Sequence, residues 1–313
     1  MNKPKDEPGL QTILSHCGRN LEASGGYVNV PPYEGSTILH DDMEDLFGRV
    51  DNHLYGDGTA QTYGTDGGPT HEAFYDAMNK LEGGAGTWAF STGLAGCTIP
   101  MMAFLKTGDH MLVTDSVYGP TRQFCEVLLK NFGVEAEFYE PTIGAGIEKL
   151  IRPNTRLIYM ESPGTHTFEM QDVPAIAAVA RKYNIVTMID NTYATPLNFQ
   201  PLKHGVDVVV HSATKYICGH SDVLMSTVTC NEKNWKQVRD VCKMTGQYAS
   251  AQSVYLGLRG LRTLKVRLDA VGVHTRKVVD WLLKREEVKK VIWPAYEKDP
   301  GYRIYKRDYS GPI

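Results

Sequence analysis

The sequence predicts an α/β fold of doubly wound type, and three observations predict it. From about residue 70, short apolar runs such as "TWAF", "HMLVTD" and "IVTMID" alternate with stretches whose apolar residues recur at helical spacing. The runs are apolar at nearly every position, which marks strands covered on both faces and hence a mostly parallel sheet between helical layers. Polar residues able to do chemistry follow the runs instead of interrupting them, and in such sheets ligands bind beyond the carboxyl ends of the strands.

Taken in order, residues 1–58 show little periodicity and many turn formers, as in "ASGGYVNVPPYEGST", and read as an extended arm. "THEAFYDAMNKLEGG" has helical spacing and a glycine stop. "TWAF" is a strand, "STG" a turn and "LAGCTIPMMAFL" a helix. "HMLVTD" is a strand, "GPTRQFCEVLLKNFG" a helix and "VEAEFY" a strand. "TRLIYMES" is a strand, "DVPAIAAVARKYN" a helix capped by Asp172, and "IVTMID", "VDVVV" and "STVTC" are strands. "GDG" at 56–58 and "GAG" at 144–146 are turns. After about 255 comes a basic helical stretch, Gly257–Val288, then a short strand, "KKVIWP". The expected organisation is an arm (1–58), a large ligand-binding domain (59–255) and the start of a smaller α+β domain (256–313) that does not finish.

Composition narrows the function classes. Hydrophobic content of 42% and charged content of 22% fit a globular chain with a sizeable core. A net charge of −3 without a basic block argues against a nucleic-acid partner. The N-terminus "MNKPKDEPGL" lacks a secretory h-region, and no apolar stretch approaches the ~20 residues that cross a bilayer. The six cysteines, none in a C-x-x-C pair, lie in apolar segments and read as reduced and buried in a cytoplasmic protein. H-E-x-x-H, P-loop and complete G-x-G-x-x-G motifs are absent, so no metal site is expected.

The strand ends collect a distinctive set. Asp190 closes "IVTMID", Glu161 closes "TRLIYM", and Ser212, Thr214 and Lys215 follow "VDVVV". Gly93 and Leu94 open a helix after "TWAF", and Tyr118 follows "HMLVTD". A lysine amine condenses with an aldehyde to a Schiff base, and a carboxylate keeps a pyridine nitrogen protonated. A helix start with nearby hydroxyls holds a phosphate dianion, and an aromatic ring stacks on a flat cofactor. Pyridoxal 5′-phosphate (PLP) needs all four. Singly, Lys215 reads as a surface lysine, Asp190 as a cap, Ser212 and Thr214 as turn hydroxyls and Tyr118 as core or rim. Joint placement at one edge raises the functional reading above these. His211 and His220 read as structural, bonded to nearby backbone.

The stretch "HSATKYICGHSD" resembles the lysine motif of the cysteine and methionine metabolism family of PLP enzymes. The likeness runs through "LEGGAGTWAFSTGLAG", "VYGPT", "ESPGTHT", "MIDNTYATP" and "LRGLRTLKVRL". It implies the three-layer, aspartate aminotransferase-like fold (fold type I) with the PLP site in the large domain. Lys215 then takes the Schiff base, Asp190 the pyridine nitrogen and Tyr118 the ring face. Gly93, Leu94, Ser212 and Thr214 form the phosphate cup, and Tyr63 reaches into a neighbouring subunit's site. The resemblance further implies an amino-acid substrate and a homotetramer whose active sites are shared between two subunits.

Thr165 in "ESPGTHT", "MTGQ" at 244–247 and "YKRDYSG" are similar to the β-lyase branch, where γ-enzymes carry Asn at the Thr165 position. The implied activity is carbon–sulfur β-lysis of cystathionine or a related thioether. A γ-lyase or γ-synthase, or an inactive shortened relative with a structural role, are the alternatives. Two departures stand out. Thr65, followed by Asp66, occupies the place of an arginine that helps hold the phosphate, and the C-terminal arginine that grips the substrate carboxylate has no counterpart in these 313 residues.

Overall fold

The computed structural model describes residues 8–22, 24–56, 58 and 60–312; the remainder of the expected arm, residues 1–7, 23 and 57, lies outside the described residues. Ahead of the sheet come α1 (Leu10–His16), α2 (Met43–Tyr55) and α3 (Pro69–Glu82). Strands β1 (Gly86–Phe90), β2 (His110–Thr114), β3 (Glu135–Tyr139), β4 (Thr155–Glu161), β5 (Val186–Asp190), β6 (Val208–His211) and β7 (Ser226–Cys230) form one sheet of order β1-β7-β6-β5-β4-β2-β3. Their connections carry α4 (Gly93–Thr98), α5 (Gly119–Gln123), α6 (Val173–Lys182) and α7 (Thr195–Asn198). After β7 come α8 (Glu232–Met244), α9 (Ala251–Leu261), α10 (Leu264–Leu282) and α11 (Tyr302–Asp308).

Successive side chains of a strand point to opposite faces, and both faces here are apolar. Met111, Val113, Tyr159, Met188, Val208 and Val210 pack on one side with Cys97, Cys125 and Val238 from the helices. Leu112, Ile158, Met160, Ile189 and Val209 pack on the other with Val173, Ile176 and Ala177 of α6. A third cluster joins α3 to α9 and α10 through Phe74, Met78, Leu258, Leu261 and Leu264. Each such buried side chain contributes roughly 1.5–3 kcal/mol. Strands β2 to β6 pair in parallel, while β7 runs antiparallel to both β1 and β6.

Several elements differ from expectation. The arm contains two helices among its described residues. The longer, α2, has an Asp42 cap that accepts from Asp45 N–H at 2.8 Å and an Arg49–Asp45 pair, yet it buries no residue. Met43, Leu46, Phe47, Val50 and Leu54 recur at helical spacing, but that stripe is not buried within the chain, and local capping supports the helix. "KKVIWP" forms no strand: with no strand to pair it, Trp293 packs on Val279 and under Arg276. Pro100 turns the end of the α4 segment into a 3₁₀ helix, and a π-helix, Phe124–Leu129, continues α5. Helix α9 spans position 255, and its Val254, Leu258 and Leu261 share one cluster with Phe74 and Met78 of α3.

The C-terminal segment folds back on the end of β4. The Tyr309 ring stacks on Phe199 at 4.7 Å, and its hydroxyl reaches the Ser162 carbonyl at 3.0 Å and the Ser162 hydroxyl at 3.2 Å. Ser310 N–H donates to the Asn198 carbonyl at 2.8 Å. Tyr309→Phe keeps the ring and leaves the buried Ser162 carbonyl without its donor, an expected cost of about 1–2 kcal/mol. Tyr309→Ala also removes the stack and should cost about 3–5 kcal/mol. Urea unfolding measures both, and a Phe variant as stable as the parent would show the hydroxyl to be dispensable.

Candidate active site

Register brings the site together. Strand β4 pairs with β5 so that Glu161 lies opposite Asp190, and β5 pairs with β6 so that Asp190 lies opposite Val210. Because β7 is reversed between them, β1 runs the same way as β6, and their carboxyl ends meet. Thr92 caps α4 by accepting from Ala95 N–H at 3.2 Å. At that point a Cβ on Gly93 would stand 2.7 Å from the Ser212 hydroxyl, and one on Gly96 2.3 Å from the Ser226 hydroxyl. Only glycine lets this helix start approach the turn after β6 so closely.

Asp190 is buried, and each of its oxygens has a donor. Thr192 N–H lies 2.9 Å from Oδ1, and the Cys97 thiol 3.5 Å from Oδ2. Burial and then the Asp190 charge push the Cys97 thiol well up, so it stands as a neutral donor. Thr192 also accepts from Ser212 N–H at 2.8 Å, which ties the carboxylate to the turn that carries Lys215. Lys215 is exposed, and its ammonium makes no hydrogen bond or ion pair among the described residues. Arg267 fixes the chain after it, donating to the carbonyls of Tyr216 at 2.6 Å, Ile217 at 3.3 Å and Gly260 at 2.8 Å. The Thr214 hydroxyl closes the same loop, donating to the Met225 carbonyl at 3.1 Å and accepting from Met225 N–H at 2.9 Å. The Ser212 hydroxyl, by contrast, has no partner among the described residues.

Glu161 is a site residue that sequence reasoning left without a role. It is 4% exposed. One oxygen accepts from Tyr118 N–H at 2.8 Å and the other from the Thr165 hydroxyl. Burial, and then the Asp190 charge, push its carboxyl up to about 8. Its signal was available: like Asp190, it is a carboxylate that ends an apolar run. Tyr118 stands at the start of α5 with its ring 44% exposed at the same edge.

Tyr63 belongs to a different surface. It forms an antiparallel bridge with Thr37, is half exposed, and lines a pocket with His53, Thr65, Trp88, Lys243 and Gln247. Asp66 lines the same pocket, with one oxygen 3.5 Å from His53 Nδ1. It turns back on its own loop, accepting from Thr62 N–H at 2.7 Å, the Thr62 hydroxyl at 2.9 Å and Tyr63 N–H at 3.0 Å. His220 bonds the Cys218 carbonyl at 2.7 Å, as expected, whereas His211 bonds the Glu82 carboxylate and not backbone. Both groups of that second pair are buried, and a buried imidazole finds its strongest partner in a carboxylate. Among the described residues no His, Cys, Asp and Glu cluster suits a metal ion.

This fold and site define a class: an α/β enzyme that holds a phosphorylated aldehyde with a basic ring nitrogen. The tests of fit are local. An unpaired lysine ammonium, a buried carboxylate, a free hydroxyl against a glycine-lined helix start and an exposed tyrosine ring share one sheet edge. Residues 11–313 match the model of the Cys/Met metabolism PLP-dependent enzymes, and the chain belongs to that family. Its cofactor is pyridoxal 5′-phosphate, and its fold is that of the fold-type-I PLP enzymes. A putative cystathionine β-lyase of Rhizobium johnstonii is 44% identical over 97% of this chain and 74% of its own length. A cystathionine β-lyase of Haemophilus influenzae is 39% identical over 96% of this chain and 76% of its own. The crystal structure of a cystathionine γ-lyase from Lactobacillus plantarum, complexed with L-serine, superposes with a TM-score of 0.89 at 29% identity, covering 97% of this chain and 77% of that one.

The raised Glu161 carboxyl has a consequence for stability. Folded, it keeps its proton to about pH 8, while the unfolded chain releases it near the ordinary value of 4.5. Its contribution is therefore complete below the unfolded value and is lost as pH rises toward about 8. A shift of this size corresponds to a few kcal/mol at most. Glu161→Gln removes the titration, so the variant should gain on the parent between pH 5 and pH 8. Urea unfolding of both apoproteins at the two pH values measures this, and a difference that stays constant would show Glu161 ionised in the fold.

Proposed function

We propose that this chain is a PLP-dependent carbon–sulfur β-lyase that cleaves L-cystathionine, or a related cysteine thioether, to homocysteine, pyruvate and ammonia. The observation that carries this is the unpaired ammonium of Lys215 on the turn after β6, tied through Ser212 and Thr192 to the buried carboxylate of Asp190. Relatives named cystathionine β-lyase, at 39% and 38% identity, support the substrate, as does threonine at position 165.

When bound, the cofactor supplies an aldehyde that captures amines and a protonated ring that accepts electron density. Lys215 would hold the aldehyde at rest. Asp190 would keep the ring nitrogen protonated, and the buried donors Thr192 N–H and Cys97 hold that carboxylate in place. The Tyr118 ring would cover one face of the cofactor. Ser212 and the N–H groups of Gly93 and Leu94 at the start of α4 would receive the phosphate, and Thr214 would serve the same cup. The Lys215 amine, once free, would be the base that takes the proton from the substrate α-carbon. The β-carbon–sulfur bond breaks, homocysteine leaves, and the three-carbon remainder hydrolyses to pyruvate and ammonia.

The division into an arm, a PLP-binding large domain and the beginning of a smaller domain belongs to the same reading. So does a homotetramer in which Tyr63 and Thr65 face a neighbour's cofactor. The exposed apolar side chains of Leu39, Met43, Phe47, Leu54 and Tyr55 favour burial of the arm against another subunit. Six free, buried cysteines favour a cytoplasmic setting, and no helix among the described residues is long and apolar enough to cross a membrane. The γ-lyase likeness makes γ-elimination the second reading, separated by its product, 2-oxobutyrate in place of pyruvate.

Purified protein with cofactor and cystathionine should yield pyruvate. Borohydride should fix cofactor on Lys215, and Lys215→Ala should abolish that label; label on another lysine would overturn the assignment. Asp190→Asn should keep part of the bound cofactor while substrate α-proton exchange falls about a hundredfold or more. Near-normal exchange would remove Asp190 from its role. Thr65→Arg should tighten cofactor binding by about one decade, as a charge-assisted phosphate contact would. An unchanged titration would show that position 65 does not face the phosphate.

A further inference from the structure

We propose that Glu161 is the positioning residue of this site: its two carboxyl oxygens grip Tyr118 and Thr165 and so set the stacking ring and the loop after β4 in one arrangement relative to Asp190. The proposal deepens the cofactor reading above and rests on it.

The geometry carries it. Glu161 and Asp190 are neighbours in the β4–β5 register, so anything held by Glu161 is held at a defined height above Asp190. One oxygen takes the backbone N–H of Tyr118 at 2.8 Å, which fixes the ring-bearing residue by its main chain and leaves the ring exposed. The other takes the Thr165 hydroxyl. The Thr165 backbone donates in turn to the Ser116 carbonyl at 2.9 Å, two residues before Tyr118. The grip is thus closed: Glu161 to Tyr118, Ser116 to Thr165, and Thr165 back to Glu161. A Cβ on Gly164 would stand 2.3 Å from the Ser116 hydroxyl, so the two loops could not meet with a larger residue there.

The titratable groups facing Glu161 are Asp190 from β5, Cys97 from α4, Tyr159 on its own strand and Tyr193 after β5. None is a cation. An ionised carboxyl buried beside a second carboxylate with no cation is costly, so near neutrality Glu161 keeps its proton: one oxygen accepts from Tyr118 N–H, and the other shares a proton with the Thr165 hydroxyl. The raised carboxyl agrees with a group retained for its hydrogen bonds and not for its charge. Glutamine can reproduce both contacts, accepting from Tyr118 N–H at its oxygen and donating to the Thr165 hydroxyl from its amide.

The test compares parent, Glu161→Ala, Glu161→Gln and Thr165→Val apoproteins titrated with pyridoxal 5′-phosphate. Two quantities are read: the dissociation constant, and the visible circular dichroism of the bound chromophore per unit absorbance, which reports how rigidly the ring is held. Glu161→Ala should weaken binding about tenfold and roughly halve the dichroism, Thr165→Val should lose part of both, and Glu161→Gln should keep most of both. An alanine variant within about twofold of the parent on both readouts overturns the proposal. So does a glutamine variant as impaired as alanine, because charge would then matter and not the grip. If the alanine variant does not fold, Thr165→Val decides, and no change there overturns the proposal. A parent that shows no cofactor band fails the cofactor reading itself, and the proposal falls with it.

Discussion

The parallel pairing of β4, β5 and β6 is the constraint on which the rest depends. It sets Glu161, Asp190 and the turn after Val210 level at one edge of the sheet. A slip of one residue would exchange the two faces of a strand, sending Asp190 to the side now filled by Ile189. Both faces are closed by helices, so such a slip would bury polar groups and expose apolar ones on two sides at once. Register here is therefore enforced by burial, and the position of the chemistry follows from it. The reversed strand β7 adds the remaining part: it returns β1 to the common direction and so delivers the start of α4 to Ser212.

Such an edge gathers groups of conflicting needs. Two carboxyls end adjacent strands, and among the groups that shift Glu161 no cation appears. The fold answers each need differently. Glu161 is raised so that it holds a proton near neutrality, and Asp190 is given a backbone N–H and a neutral thiol. Lys215 is left unpaired on a turn braced by Arg267 and Thr214. An amine proposed to bond to an aldehyde is better left uncommitted to a carboxylate, and its turn is stabilised through neighbouring carbonyls instead. The buried His211–Glu82 pair lies one residue before Ser212 and anchors the strand end from the α3 side without competing for the lysine.

The sheet was legible because strands buried on both faces read as unbroken apolar runs, and Val208–Val210 or Leu157–Met160 have no other use. In α2 the helical spacing of Met43, Leu46, Phe47, Val50 and Leu54 was present in the sequence but set among turn formers; in the fold its support is a cap and an i,i+4 pair beneath that unburied stripe. "KKVIWP" looked like a strand by composition, but pairing is non-local and sequence cannot supply the partner. Among the residues proposed for the site, Lys215, Asp190 and Ser212 were visible from their offset to strand ends. Glu161 shared that offset and was passed over because a second carboxylate had no assigned partner. Its partners, Tyr118 N–H and Thr165, come from loops 43 and 4 residues away, and only the fold joins them.

Glu161 and Ser162 are consecutive, yet they engage opposite layers of the protein. Ser162 is held from behind by Tyr309, whose ring rests on Phe199, and by Gln171 N–H at 3.1 Å. Glu161 holds the front, through Tyr118 and Thr165. The loop that follows carries His166 at φ 64° and Phe168 at φ 58°, backbone that side chains rarely adopt and that costs of order 1–3 kcal/mol per residue. It is nevertheless fixed, by Gly164 N–H to the Glu169 carbonyl at 3.0 Å and by the Phe168 ring against Tyr193 at 5.3 Å. Strain that is held from both sides persists only where the surroundings over-determine it. Here they consist of the hydrogen bonds across the loop, Gly164 to Glu169 and Phe168 to Gly164, and the Phe168–Tyr193 ring contact. A change at Tyr309, far from Lys215 in sequence, is thereby connected to the placement of the ring at Tyr118 through Glu161, the last residue of β4, and Ser162, which follows it.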